Sequence, residues 1–214
     1  MIPSMVAIKR TLSSIPVTVL AFAAASGLLS ANGIRFTDFF RLDATLLVNP
    51  ASYTINMLFH AGGWSHYTGN MWLWVPFGVA LTWLTSNRHV LGLAVTVNAL
   101  TVVVAIWFEG VGLGLSHVVL GVAAATLVRA TGIAFQNAST QGLQLVVTAL
   151  LLPTLGGLFL VLALAGSRWV ADLYHLLGFL FGWAIEALYV FAAHDTGSES
   201  GGATHSIPDR LGPG

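Results

Sequence analysis

The chain has 214 residues, of which 56% are hydrophobic and only 7% charged, and its eight Lys or Arg balance eight Asp or Glu. Soluble domains carry roughly a quarter charged residues, so this composition cannot cover a water-facing surface and reads as an integral membrane protein. Zero net charge gives no ground for a nucleic-acid partner, and the absence of cysteine excludes disulfides, thiolate metal sites and a cysteine nucleophile.

Taken in order, residues 1–14 form a short N-terminal segment in which Lys9 and Arg10 precede an apolar run over 15–30. That run approaches the ~17–25 residues of a bilayer span. It also fits a signal peptide with Lys9 and Arg10 as its basic region; the first helix is expected to be retained. Residues 33–65 lack a clean span. Arg35, Asp38, Arg41 and Asp43 alternate there with Phe36, Phe39 and Phe40, which suits an external loop lying in the interface.

Further spans are expected over 66–85, 90–108, 116–130, 143–165 and 171–193, with a tight polar turn at 86–89 and a polar connection over 131–141. Pro153 and Gly156-Gly157 should kink the fifth span. The expected architecture is therefore all-α, a polytopic bundle of six transmembrane helices occupying 15–194. The Gly, Ser and Pro of 195–214 suggest a disordered tail. With the N-terminus inside, Lys9, Arg10, Arg88, Arg129 and Arg210 fall on the cytoplasmic side and Arg35, Arg41 and Arg168 outside, a modest bias for that orientation.

In this topology spans two, four and six start at the outer face, and each carries polar residues at its beginning. Ionisable groups inside a membrane are costly and are functional candidates by default. Span two opens with His66 and Asn70, four residues apart and so on one helix face. Span four opens with Ser116 after a glycine-rich loop, where helix N–H groups and a partial positive charge can hold an oxyanion. Span six carries His175 on one face with Gly178 and Gly182, which would let span four, with Gly121 at similar depth, approach closely. Such packing puts His175 within reach of Ser116 as a nucleophile–base pair, with His66, Asn70 and the Ser116 backbone N–H as oxyanion donors. Each piece also has an ordinary reading: a serine at a helix start caps it, paired glycines pack helices, and interfacial histidines anchor. A metal set of His60, His66, His117 and His175 is the alternative use of these side chains, although only Glu109 and Asp172 lie near them in sequence.

These residues resemble the rhomboid intramembrane serine proteases over most of the chain. The family's helix-two signature is similar to His60 followed by His66-Tyr67-Thr68-Gly69-Asn70. Its glycine-x-serine motif is similar to Gly114-Leu115-Ser116, with Gly121 five residues on. Its histidine-x-x-glycine-x-x-x-glycine matches His175, Gly178 and Gly182. The resemblance implies a six-helix fold, a Ser116–His175 dyad and an oxyanion site including His66 and Asn70. It also implies membrane-spanning helices as substrates, cut near the outer surface, with no cofactor.

The chain departs from the family pattern at several points. His117 stands where a glycine usually follows the serine, and Leu120 where an aromatic is common. The gap from His60 to His66 is one residue longer than usual, with Gly62-Gly63 in it, and the external-loop tryptophan–arginine pair is not evident near Ala51 and Ser52. His117 has three options: to crowd the oxyanion hole, to add a donor to it, or to point away into the external cavity. Two other functions stay open on sequence alone, a non-catalytic rhomboid-like protein that binds or escorts membrane helices, and a small transporter using the buried histidines. Glu186 and Arg129 fall at matching depths on spans six and four, so they should either pair or leave Arg129 to snorkel to the inner interface.

Overall fold

The computed structural model describes residues 15–39, 53–60, 63–107, 114–137 and 169–199. These form five α-helices and no strand: α1 (Val17–Ala31), α2 (Gly63–Leu84), α3 (Asn87–Trp107), α4 (Ser116–Asn137) and α5 (Trp169–Glu199). They correspond to the expected spans one, two, three, four and six. The expected fifth span, with its kink at Pro153, lies outside the described residues. Asn87–Val104, Ser116–Ile133 and Leu173–Val190 are each long and apolar enough to cross a membrane, and they mark the chain as a membrane protein.

Local chemistry sets the helix ends. Pro16 precedes α1, where a missing N–H costs nothing. At the other end Gly33 takes φ +65°, with Gly33 N–H donating to the Ser30 carbonyl and Ile34 N–H to that of Leu29, a Schellman closure. Ser86 caps α3 by accepting from His89 N–H. Asn87 then ties the start of α3 to the start of α1: its Oδ1 accepts from Thr18 N–H, its Nδ2 donates to the Ile15 carbonyl, and Thr18 Oγ1 donates to the Asn87 carbonyl. The two helices therefore start at the same end of the bundle.

The other three start at the opposite end. Val19 lies against Trp74 and Gly78 while Ala23 and Gly27 lie against Tyr67, so α2 runs antiparallel to α1. The His66 ring adjoins Gly114 and Thr126 Oγ1 donates to the Phe77 carbonyl, a nearly equal advance along both chains, so α2 and α4 are parallel. The same holds for α4 and α5: Gly178 sits on the His117 backbone and Gly182 on that of Gly121. Gly121 is itself crowded, since a Cβ there would come within 2.8 Å of the Gly178 carbonyl and 2.9 Å of Val97 on α3. The central helix is α4. From His117 to Thr126 every residue but Leu120 is buried, as expected of a helix with neighbours on all sides. Outward, Trp72, Trp83, Leu28 and Leu188 are among the most exposed side chains, apolar surface that lipid rather than water would cover.

Two boundaries differ from the sequence reading. The stretch expected as a polar connection from residue 131 continues α4 to Asn137, and α5 runs on to Glu199, past residue 195 where the composition suggests a disordered tail. Within the first extension Gly132 packs against Val190 of α5, at 3.1 Å from a built Cβ, and this tertiary contact sustains a helix that Gly and Thr alone do not favour. Residues 200–214 lie outside the described residues.

At the end away from Ser116, Glu186 is fully buried and held from two helices. Arg129 Nε of α4 donates to Oε1 at 2.5 Å, and His89 Nε2 of α3 meets Oε2 at 2.6 Å. Arg129 thus pairs rather than snorkelling alone, and three helices are pinned at one carboxylate. Removing one member of a buried pair typically costs ~3–5 kcal/mol; the Arg129 side chain is 21% exposed and can partly rehydrate. Glu186→Gln is expected to lower stability by about 2–4 kcal/mol, or roughly 5–12 °C in Tm. Adding Arg129→Met should recover part of the loss in a thermal melt.

Candidate active site

The site is assembled from the starts of α2, α4 and α5 and the loop ahead of α2. Gly114 enters α4 with φ +120°, a region that L side chains rarely adopt, and a Cβ there would also stand 3.1 Å from the Phe59 carbonyl and 4.0 Å from the His66 ring. A glycine is needed on both counts. It lets the backbone at this position lie close to the histidine, two residues ahead of Ser116, the first residue of α4, whose N–H groups lack helical acceptors. Ser116 is half-buried and Leu115 beneath it fully buried.

His175 lies one turn before Gly178, and Gly178 rests on the backbone of His117, so His175 stands level with the 114–116 segment of the neighbouring helix. The expected close approach of these two spans through Gly121, Gly178 and Gly182 is therefore present in the structure. The register fixes height and adjacency. Among the described residues the Ser116 hydroxyl has no hydrogen-bond partner, and the bond from Oγ to imidazole is not part of the observed geometry.

Asn70, one turn below His66, comes abreast of the first turn of α4. Its side chain is buried and its Nδ2 has no hydrogen-bond partner among the described residues. A buried donor left unpaired costs ~1–3 kcal/mol, and such an atom calls for an acceptor. His66 is half-buried, with its ring centre 5.4 Å from that of His60 in a T-shaped arrangement.

His60 is held from α1. Ser26 Oγ donates to the Leu58 carbonyl at 2.8 Å and lies 2.9 Å from His60 Nδ1. Burial, reinforced by the neighbouring charge His66 would carry, pushes the His60 pKa down to about 4. The unfolded chain then binds a proton at His60 that the folded chain does not. Its contribution is fully present above pH ~6.5 and is lost as pH falls from there toward 4, at up to about 1.4 kcal/mol per unit. Melts of the wild type should show this decline between pH 7 and 4.5, and His60→Gln should flatten it.

The direction of His117 is set by its partner. The imidazole is fully buried, with Nε2 2.9 Å from Asn98 Oδ1 on α3. It is thus turned into the bundle toward α3 while its backbone underlies Gly178. Sequence reasoning missed Asn98, although a lone amide inside an apolar span is a candidate by the same rule that flags the histidines. It also missed Ser26, which carries no signal, and His89, which reads as turn. The side chain of Asp172 lies outside the described residues. Among the described residues no three His, Asp or Glu side chains gather as a metal centre. In comparisons of the chain with family models, with curated proteins and with solved structures, nothing matches.

Proposed function

We propose that the chain is an intramembrane serine endopeptidase of the rhomboid type, built as six spans, that cuts transmembrane helices near the outer leaflet. The observation that carries this reading is the backbone contact between α4 and α5 at His117–Gly178 and Gly121–Gly182, because it sets a hydroxyl and an imidazole level on adjoining parallel helices. The unpaired Nδ2 of Asn70 beside the same turn supports it, as a donor awaiting an oxyanion.

In this mechanism His175 takes the proton of Ser116 as Oγ attacks a peptide carbonyl of the substrate helix. The resulting oxyanion is held by the Ser116 N–H at the start of α4, by His66 and by Asn70. His175 returns the proton to the departing amine of the C-terminal fragment, and the N-terminal fragment remains esterified to Ser116 through its new terminal carbonyl. Water, deprotonated by His175, then releases it. The step itself requires only the imidazole, which accepts the proton from Ser116 and later returns it. A peptide bond inside a regular helix is shielded by its own hydrogen bonds, so preferred substrates carry helix-weakening residues such as Gly or Pro near the cut.

The test is cleavage of a reporter transmembrane helix by the purified protein in liposomes, with the cut located by mass spectrometry. A single cut within the first turns below the external interface is the expected result. Intact reporter, with the protein folded and inserted, would overturn the assignment in favour of a helix-binding role.

A further inference from the structure

Ser26 settles which nitrogen of His60 carries the proton. A hydroxyl has one hydrogen, and that of Ser26 goes to the Leu58 carbonyl; toward His60 Nδ1 the oxygen can only accept, so Nδ1 bears the hydrogen. The lone pair is then on Nε2. That atom is buried in a residue only 3% exposed, and among the described residues it has no partner. A bare acceptor so placed calls for a donor or an electrophile.

The neighbour is His66. Among the described residues no hydrogen bond engages its ring, and the two ring centres are 5.4 Å apart at an interplanar angle of 88°. Imidazole nitrogens bind Zn²⁺ at ~2.0–2.1 Å, which places the ring centres of two histidines on one tetrahedral ion about 5 Å apart. The observed spacing matches. The remaining feature of a histidine ligand is a second nitrogen fixed by an outer hydrogen bond, which sets the tautomer; Ser26 provides it.

We infer that His60 and His66 form a two-histidine site for a divalent transition-metal cation of the Zn²⁺ type, with water in the open positions, and that its occupancy shuts off the oxyanion pocket. The inhibitory half of this inference rests on the proposed protease activity; the binding half does not. Coordination would engage a His66 nitrogen and place a cation and its waters beside Gly114, where the substrate carbonyl must enter. Asn98 withholds His117 from the set by occupying its Nε2, and among the described residues no three candidate ligands gather, so the four-histidine metal alternative reduces to the His60–His66 pair.

The experiment is titration of Zn²⁺ into untagged protein by calorimetry, with Co²⁺ absorption as a second readout and reporter cleavage followed in parallel. One ion per chain is expected. His60→Gln and His66→Gln should each abolish binding, Ser26→Ala should weaken it by about 10–100-fold, and His175→Ala should retain it. Wild-type cleavage should fall in step with occupancy and return on chelation. No binding by the wild type, or equal binding by both histidine variants, overturns the site. Full occupancy with undiminished cleavage overturns the inhibitory role. A protein that cuts nothing yet binds one ion through these histidines keeps the site and loses only the protease reading.

Discussion

Ser116→Ala and His175→Ala are each expected to abolish cleavage of a reporter helix, by about 10⁴-fold or more, while the protein still inserts and melts like the wild type. The expectation follows from placement. Ser116 is the first residue of α4, half-buried, and its hydroxyl is bound to no other described residue; removing one oxygen there breaks no structural bond. His175 sits above the Gly178–His117 contact rather than within it. A structural role for either residue would show as a lowered Tm, and a catalytic one as lost turnover at constant Tm. Asn70→Ala should lie between, losing ~10²–10³-fold in kcat, because one oxyanion donor of three is removed while the nucleophile and base remain.

The second large effect is structural. Gly178→Ala and Gly182→Ala should each destabilise the bundle by about 3 kcal/mol or more, since overpacking ordinarily costs 1–3 kcal/mol and these sites offer no relief. A Cβ on Gly178 would overlap the His117 carbonyl, and one on Gly182 would overlap that of Gly121. Both obstacles are main chain within α4, which cannot rotate aside as a side chain can. The helices must separate, so His175 moves away from the Ser116 level and activity falls with stability. The measurement is a pair of thermal melts in detergent, with a drop of roughly 6–12 °C expected. Gly69→Ala on exposed α2 surface, with nothing within 4 Å of the added carbon, supplies the control. It should hold Tm or raise it slightly, as replacing glycine within a helix does.

Much of this arrangement is legible in the amino-acid sequence. The spacing of His175, Gly178 and Gly182, with Gly121 opposite, specifies a backbone-to-backbone seam because only glycine permits one, and the seam is there. Arg129 and Glu186 match by depth alone, and they meet. Both inferences rest on helical periodicity, which converts residue number into height and face without knowledge of neighbours. What escapes the sequence depends on neighbours. Residues 131–137 look like a connection by composition, yet Gly132 against Val190 keeps them helical. The direction of His117 is open among three outcomes because its partner, Asn98, belongs to a different helix. The addition of His89 to the Glu186 pair likewise requires knowing that α3 starts where α5 passes. The parallel start of α2, α4 and α5 follows from counting spans, and the contacts of His66, Phe77, Gly178 and Gly182 bear out that parity.

The proposed activity stands on chemical coupling between Ser116 and His175, which covalent labelling reads. A fluorophosphonate reacts with a serine hydroxyl only when a neighbouring base accepts its proton, so the adduct reports the pair rather than either residue. Incubating the folded, purified chain with the probe and mapping the adduct by peptide mass spectrometry should give one label per chain at Ser116, absent from Ser116→Ala and strongly slowed in His175→Ala. An unlabelled Ser116 in folded wild type, or labelling at an equal rate in His175→Ala, would contradict the account.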